Sequence, residues 1–335
     1  MRALLLAWLL THAGIAVTQT EPPEPTAEAQ VASQLLDAVV VSGVQPGPGL
    51  WRVSKGDQVM WVLGVLSPLP KRMEWAPREV EQVIASSQAV LVGPTVKLKK
   101  EIGFFRGLTL LPAALGSRKN PNGEKLKEVV PADLYARWLP LKAKYIGRGN
   151  GIEKQRPLFA SSKLYEKAIK KNQLTFDSLT APVIKKARKK ANIPLIEPTI
   201  EIDLPDPRQA IREFANSSLE DIDCFAKTLD RLETDLQAMR ERANAWATGD
   251  IEALRALPFT DQNQICADAV LNAGFVKERG LDDMRERLAQ AWLTAAETAL
   301  TTHESTFAIL PMAQILKPDG YIERLRARGY EVEEP

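Results

Sequence analysis

The chain has 335 residues, 45% hydrophobic and 26% charged, which excludes a wholly disordered or fibrous protein. The net charge of +2 conceals an asymmetry, because residues 97–190 hold 23 Lys and Arg against 7 Asp and Glu, a net of +16. Residues 191–335 hold 15 against 27, a net of −12, and residues 1–96 hold 6 against 8, a net of −2. A basic middle and an acidic C-terminal third indicate either an anionic partner or charge complementarity within the molecule.

The N-terminus has the features of a cleavable signal peptide. Arg2 precedes a short apolar run over residues 3–10, and small residues precede a cut before Val17. We predict a signal peptide over residues 1–16, with a buried N-terminal helix as the alternative, and a flexible linker over residues 17–48. No cysteine lies near the cut, so a lipid anchor is not expected, and no later apolar run could span a bilayer. We therefore expect a periplasmic or secreted chain without a transmembrane segment.

The first elements form a strand pair, a helix and a third strand. Two apolar runs, 49–53 and 59–64, flank a Lys-Gly-Asp turn and predict a β-hairpin. Residues 77–86 predict a helix with proline in its first turn. The continuous apolar run 89–92 is typical of a buried strand.

The basic middle is predicted to be mainly helical. Apolar residues recur at three-to-four spacing over residues 132–147, 161–173 and 182–194, and a short strand follows at 193–196. The segment Gly103–Gly107 has a glycine at each end, and we interpret it as a turn with apolar anchors.

One long helix is predicted after this strand. Gly249 ends it and Asp250 caps the next helix. Its apolar residues, which we call the seam, alternate in steps of three and four: Ile222, Phe225, Leu229, Leu232, Leu236, Met239, Ala243 and Trp246. We interpret the seam as part of the core, with dimerisation as the alternative.

The C-terminal elements alternate between helix and strand. They are a helix at 284–298, a strand at 307–310, a turn at 318–320, a helix at 321–328 and a strand at 330–332. Strands separated by helices at both ends of the chain predict an α/β fold. Its central mixed sheet is built from the two ends of the chain, and residues 97–192 form a large basic helical insertion within a domain over 49–335.

Both ends of the chain resemble the TraB/GumN family. The resemblance lies in LWRVSKGDQVMWVLGVLSPLP at 50–70 and FAILPMAQILKPDGYIERLRARGYEV at 307–332, and weakly in the middle, over roughly 49–334 in all. That family is similar to Tiki-type metalloproteases and to ChaN and erythromycin-esterase-like proteins. The resemblance implies an α/β core with a helical insertion, and its active members are proposed to be metal-dependent hydrolases or proteases.

The family's two Gly-x-x-His motifs are degenerate in this chain. The first falls on Gly64 to Ser67, so the glycine remains and the histidine is serine. The second falls on Pro311 to Gln314, which has neither glycine nor histidine.

The family's other site positions are also changed in part. The glutamate after the second core strand falls near Gly93, so its carboxylate is absent. The late arginine matches Arg285, and Glu197 matches an acidic residue often found at its position. With Glu74 and Ser67, these two side chains could still line the old cleft, although Arg285 beside carboxylates could also form a structural ion pair.

Histidine usage argues against histidine-ligated metal independently of the family. The chain contains His12, within the predicted signal peptide, and His303 in a polar connection that we expect to be exposed. One histidine cannot supply the imidazoles of a common catalytic zinc site, and we expect no cofactor. The acidic clusters at 203–206 and 220–223 are interpreted as solvated turn or cap residues.

The remaining hypotheses concern binding. We predict a non-catalytic binding or scaffold protein of the cell envelope, with a hydrolase using Glu197, Arg285, Ser67 and a carboxylate-held metal as the alternative. The basic cluster Lys185, Lys186, Arg188, Lys189 and Lys190 is the candidate surface for an anionic envelope polymer or membrane head groups, with Lys167, Lys170 and Lys171 as a second cluster. A merely solvated surface is the alternative, and nucleic acid is not expected. Cys224 and Cys266 either pair or remain as two buried thiols.

Overall fold

The computed structural model describes residues 43–100, 102–217, 219–257 and 262–335. The predicted signal peptide and most of the predicted linker lie outside these residues. Within them the strands, in chain order, are β1 (Leu50–Lys55), β2 (Gln58–Val65), β3 (Leu69–Pro70), β4 (Ala89–Leu91), β5 (Thr95–Leu98), β6 (Leu174–Thr175), β7 (Leu195–Ile196), β8 (Thr199–Ile202), β9 (Ser305–Pro311) and β10 (Glu331–Glu333).

A six-stranded mixed sheet has the order β10-β1-β2-β9-β4-β7. β9 lies between β2 and β4 and runs parallel to both, and β7 is parallel to β4. β1 is antiparallel to β2 and to β10. The predicted mixed sheet from both ends of the chain is confirmed, because a strand from the C-terminal part separates two N-terminal strands.

The hairpin of β1 and β2 shows how local sequence sets this sheet. Lys55 pairs with Gln58 across a tight turn in which Gly56 has a φ of 63°, a left-handed conformation that glycine adopts without steric penalty. Side chains then alternate along β2, so that Met60 packs in a different hydrophobic cluster from Leu63. Both faces of the sheet are therefore covered by apolar side chains.

The helices confirm most of the predicted ones. In chain order they are α1 (Arg78–Ser86), α2 (Phe104–Gly116), α3 (Leu126–Val129), α4 (Ala132–Tyr145), α5 (Pro157–Lys171), α6 (Ala181–Ala191), α7 (Pro207–Asn216), α8 (Ile222–Thr234), α9 (Leu236–Thr248), α10 (Ile251–Ala256), α11 (Gln262–Leu271), α12 (Gly274–Lys277), α13 (Met284–Thr302), α14 (Met312–Leu316) and α15 (Tyr321–Ala327). Two short 3₁₀ helices lie at Pro121–Gly123 and Ile152–Lys154.

The turn predicted at Gly103–Gly107 is wrong, because the segment begins α2. Gly103 is the residue before the helix, and Gly107 lies in its second turn. The amide of Gly107 donates to the carbonyl of Gly103 at 2.9 Å, so the first helical hydrogen bond joins the two glycines that suggested a turn.

The single long helix predicted over 222–246 is also wrong. It is divided at Asp235, whose backbone lies at φ −106° and ψ 0° between α8 and α9. Most of the seam packs with the helical insertion, whereas Ala243 and Trp246 pack against the sheet. The two ends of the predicted helix therefore pack in different hydrophobic clusters, and the helix is interrupted between them. Six of the eight seam residues are buried, and Ile222 and Leu236 are partly buried against the core, so the seam does not offer a dimer surface.

The sequence analysis did not predict two small sheets. β3 pairs with β6, and β5 runs parallel to β8. Strands of two to four residues are too short to show an alternating pattern, so only their tertiary partners define them.

Described residues before the predicted boundary at residue 49 contact the domain. Gln45 bridges to Trp75, and the amide of Gly47 donates to the carbonyl of Ala247 at 2.8 Å. Gly47 and Pro48 are buried. The last residues of the predicted flexible linker are therefore packed against the domain.

The helical insertion shares its core with helices that follow it. Trp138 of α4 packs against Phe225 of α8 with ring centroids 5.3 Å apart, and both are fully buried.

The structure decides between the two alternatives for the cysteines. Cys224 and Cys266 form a disulfide with a Cα–Cα distance of 4.8 Å. It joins α8 to α11 in a small cluster that also contains Leu158.

Candidate functional site

The carboxyl ends of the parallel strands meet at one edge of the sheet. Ser67 follows β2, Gly93 follows β4, Glu197 follows β7 and Gln314 follows β9. The topology thus places four of the predicted site positions at the same edge. In open α/β sheets this edge is where ligands bind.

A cavity of about 450 Å³ opens at this edge beside β2 and β9. Ser67 is the predicted site residue that lines it. The remaining lining residues come from the ends of these strands and from the helical part: Val65, Leu66, Pro68, Tyr165, Phe176, Ser178, Arg231, Met239, Arg242, Pro311, Met312 and Ala313. The lining combines apolar side chains with several polar ones, so the cavity could accept a small polar ligand.

Two guanidinium groups give the cavity its charge. Arg231 Nε donates to Asp235 Oδ2 at 3.0 Å, and Arg242 Nη2 donates to the same oxygen at 2.8 Å. Arg231 also lies over the ring of Tyr165, 5.3 Å from its centroid. Asp235, where the two helices divide, thus holds both arginines at the cavity.

The sequence prediction missed these arginines. Arg231 and Asp235 are four residues apart on a predicted helix, which was a signal for an ion pair. The proximity of either residue to the strand ends depends on the packing of α8 and α9, which the sequence pattern does not contain.

Gly64, the retained glycine of the first degenerate motif, has a packing role. Its carbonyl accepts a hydrogen bond of 2.8 Å from Trp246 Nε1. A Cβ at this position would collide with the side chain of Met312 and press against Ile315. The glycine is therefore explained by close packing between β2 and the segment after β9.

The other matched positions do not converge on the cavity. Nothing lies within 4 Å of a Cβ built on Gly93, so a side chain would fit there. Glu197 is half exposed, with its carboxylate 3.9 Å from Lys97 Nζ. Arg285 pairs with Asp268, the structural ion pair considered as the alternative. Glu74 is exposed and is not part of the cavity lining.

Ser67 and His303 lie at opposite edges of the sheet. His303 precedes β9, whereas Ser67 follows β2, and the two strands are parallel with Val59 opposite Ser305 and Val65 opposite Pro311. A strand of this length separates them by roughly 20 Å. They cannot act as a nucleophile and its base. His303 is half-buried at the end of α13, so the exposed position predicted for it is wrong.

The described residues also contain no group of three or more His, Cys, Asp or Glu side chains placed to hold a metal ion. The polar side chains that line the cavity are two arginines, two serines and a tyrosine, whose guanidinium and hydroxyl groups can all donate hydrogen bonds. Such an arrangement suits the binding of a ligand that accepts hydrogen bonds.

The basic cluster lies on α6. Lys185, Lys186, Lys189 and Lys190 are exposed, and at 100° per residue they cover about 140° of the helix surface. Ile184 and Ala187, on the opposite side, are buried against α1. Arg188 differs from the lysines, because it is partly buried and donates to the carbonyl of Ile193 at 2.9 Å.

The lysines of α6 have no ion pair with any acidic side chain in the described part of the chain. In the second cluster, by contrast, Lys170 pairs with Glu166 at 2.7 Å, and Lys171 donates to the carbonyl of Lys144. The first cluster is therefore the stronger candidate for an external anion.

The two acidic clusters are only partly solvated. Asp206 caps α7 by accepting from the amide of Gln209 at 3.0 Å, as predicted for a cap residue. Asp221 is buried and accepts from the amide of Leu158, at the start of α5. Burial raises the pKa of Asp221, although this hydrogen bond and the charge of Arg156 act in the opposite direction. For Asp221 the predicted solvation is wrong, because it satisfies a buried helix terminus.

The chain has a mixed β-sheet with helices on both faces and a cavity at the carboxyl ends of its parallel strands. These features place it in the α/β class. Residues 49–334 match the model of the TraB/PrgY/gumN family, and the chain belongs to that family. No curated protein and no solved structure was found to match the chain. In the described residues no helix is both long and apolar enough to cross a membrane.

Proposed function

We propose that this chain is a non-catalytic binding or scaffold protein of the cell envelope whose partner carries negative charge. Two features support the absence of catalysis. The positions matching the family's histidines and glutamate hold Ser67, Gln314 and Gly93. The cavity beside them is lined by arginines, hydroxyl groups and apolar side chains, with no carboxylate or imidazole among its lining residues. The disulfide of Cys224 and Cys266 is compatible with an exported protein.

The observation that carries the proposal is the lysine surface of α6. Lys185, Lys186, Lys189 and Lys190 form one exposed face. Four like charges on a single helix face repel one another, and a polyanion relieves that repulsion. The partner is either an anionic polysaccharide or a layer of phosphate head groups, which share the chemistry of closely spaced negative charges.

Charge reversal tests this surface. The variant carries glutamate at Lys185, Lys186, Lys189 and Lys190, and its control carries glutamate at four exposed positions outside α6, Lys71, Arg72, Arg148 and Lys277. Both variants change the net charge by the same amount. Binding is measured to alginate and to phosphatidylglycerol vesicles at low and high salt.

The α6 variant should bind roughly tenfold more weakly or worse at low salt, while the control keeps most of its affinity. Binding by the native chain should also fall steeply as salt rises. Equal losses in both variants would show that net charge alone matters, and binding unaffected by salt would overturn the proposal.

A calorimetric titration with Zn²⁺, Mn²⁺ and Ca²⁺ after chelator treatment tests the non-catalytic assignment. The proposal expects no stoichiometric binding. Tight binding of one ion per chain would favour the metal-dependent hydrolase instead. Glu197→Ala and Arg285→Ala would then be tested for loss of metal affinity in a folded protein.

A further inference from the structure

Helix α2 presents an apolar face to solvent. Phe105, Leu108, Leu111 and Leu115 are 82%, 50%, 51% and 50% exposed. They account for four of the nine large hydrophobic side chains that are exposed in the described part of the chain, and the other five are scattered. A cluster of this kind on one element marks an interaction surface.

The four side chains lie on one side of the helix. At 100° per residue they span about 120° of its surface. Leu110 is buried, and α2 is attached to the domain by packing on α7. The helix is therefore anchored through one face, and the opposite face is both convex and apolar.

Positive charges stand at both ends of this helix. Lys99 and Lys100 precede it and are exposed, as is Lys97, which lies 3.9 Å from the Glu197 carboxylate. Arg118 and Lys119 follow it and are exposed, with the Arg118 guanidinium 5.7 Å from the centroid of the Phe159 ring. Arg106 is the one charged residue in the sequence of the helix itself. An apolar stripe between two basic ends matches an interfacial membrane helix, whose apolar face enters the acyl boundary while the cations meet anionic head groups.

We infer that α2 docks the protein on an anionic lipid bilayer, with Leu108, Leu111 and Leu115 entering the interface. A helix of 13 residues is about 20 Å long, which suits lying in the plane of a bilayer and not crossing it. The inference rests on the proposed function only in taking the partner to be anionic. It is carried by different residues from those of α6.

The test replaces Leu108, Leu111 and Leu115 with glutamine, which has nearly the helix propensity of leucine. Leu139→Gln is the matched control, because Leu139 is 45% exposed on α4. Co-sedimentation is measured with phosphatidylcholine vesicles, with and without phosphatidylglycerol, and helix content is checked by circular dichroism.

The triple variant should bind phosphatidylglycerol vesicles on the order of 100-fold more weakly, because three leucines no longer bury their exposed apolar surface. The control should bind like the native chain. Native binding to phosphatidylcholine alone should be at least about tenfold weaker, because the flanking cations lose their partners. Unchanged binding by the triple variant, or equal binding to both lipids, would overturn the inference.

Two further measurements separate this inference from the proposed function. Alginate has no acyl interior, so the leucine variant should bind it like the native chain. Alginate binding that is lost only in the α6 variant, together with no vesicle binding, would overturn this inference and leave the proposed function intact. A native dimer that becomes monomeric in the leucine variant by analytical centrifugation would assign the face to a second copy instead.

Discussion

The indole Nε1 of Trp246 donates a hydrogen bond of 2.8 Å to the carbonyl oxygen of Gly64. Trp246 is fully buried near the end of α9, and Gly64 lies near the carboxyl end of β2. This contact fixes a helix of the C-terminal half against the strand that carries the first degenerate motif. The residue matched to the glycine of that motif therefore has a packing role in this chain.

The packing role of Gly64 predicts a loss of stability on adding a methyl group. Gly64→Ala should lower the free energy of unfolding by about 1 kcal/mol, because the new Cβ forces the flexible end of the Met312 side chain to shift and presses against Ile315. Gly93→Ala is the matched control, since nothing lies within 4 Å of its Cβ. Urea unfolding measures both, and a Gly64 variant as stable as the Gly93 variant would contradict the packing role.

Replacing Asp235, whose carboxylate is shared by two arginines, should lower the free energy of unfolding more than Gly64→Ala does. Asp235→Asn removes the negative charge between Arg231 and Arg242, and the side chain of Arg242 is 4% exposed. We expect a loss of about 3 kcal/mol in unfolding free energy, because a buried guanidinium loses its counter-charge.

Asp230→Asn is the control for this prediction. Asp230 pairs with Arg137 at 2.6 Å, but its side chain is 46% exposed. Surface pairs contribute at most about 1 kcal/mol. Similar losses in the two variants would mean that Arg242 is more solvated than its burial indicates.

The disulfide should contribute substantially to stability. It closes a loop of 42 residues, for which the chain-entropy relation gives about 4 kcal/mol. Cys224→Ala with Cys266→Ala should therefore unfold at a clearly lower urea concentration than the native chain. Reductant should shift the native midpoint towards that of the double variant and leave the double variant unchanged. A midpoint insensitive to reductant would contradict a stabilising disulfide.

Glu166 should contribute to folding stability in a pH-dependent way. Hydrogen bonds from Lys163 and Lys170 lower the pKa of Glu166 to about 2 from the ordinary value of 4.5. A lowered folded-state pKa means that its stabilisation is fully present above pH 4.5 and is lost as pH falls towards 2. The native chain should unfold at a higher temperature than Glu166→Gln at pH 7, and most of this difference should be lost by pH 2.5. A gap that persists at low pH would show that charge is not its cause.

The local sequence pattern predicted two kinds of element. These are elements with an apolar repeat over many residues and elements bounded by characteristic turn or cap residues. The hairpin around Gly56 and the helix end at Gly249 are both set by residues that tolerate a positive φ, 63° and 72°. Asp250 caps the next helix by accepting from the amide of Ala253, as predicted. The same local rules failed at α2, where two glycines suggested a turn inside a helix.

The candidate site was predicted only in part, because some of its residues are brought together by tertiary packing and not by local pattern. Ser67 was expected in the old cleft because it falls on the histidine position of the family's first motif, and it lines the cavity in the structure. Arg231 and Arg242 could not be predicted there, since a charged residue on a helix is ordinarily solvated and its burial depends on what packs over it.

The sequence by itself determined the α/β class, the family resemblance and the degenerate motifs, because these depend on residue identity and local periodicity. Only the tertiary structure decided that α8 and α9 divide at Asp235, that Cys224 meets Cys266, and that α2 leaves its leucines in solvent. Each of these depends on contacts between residues far apart in the chain. Such contacts are selected by the packing of whole elements, which no local pattern specifies.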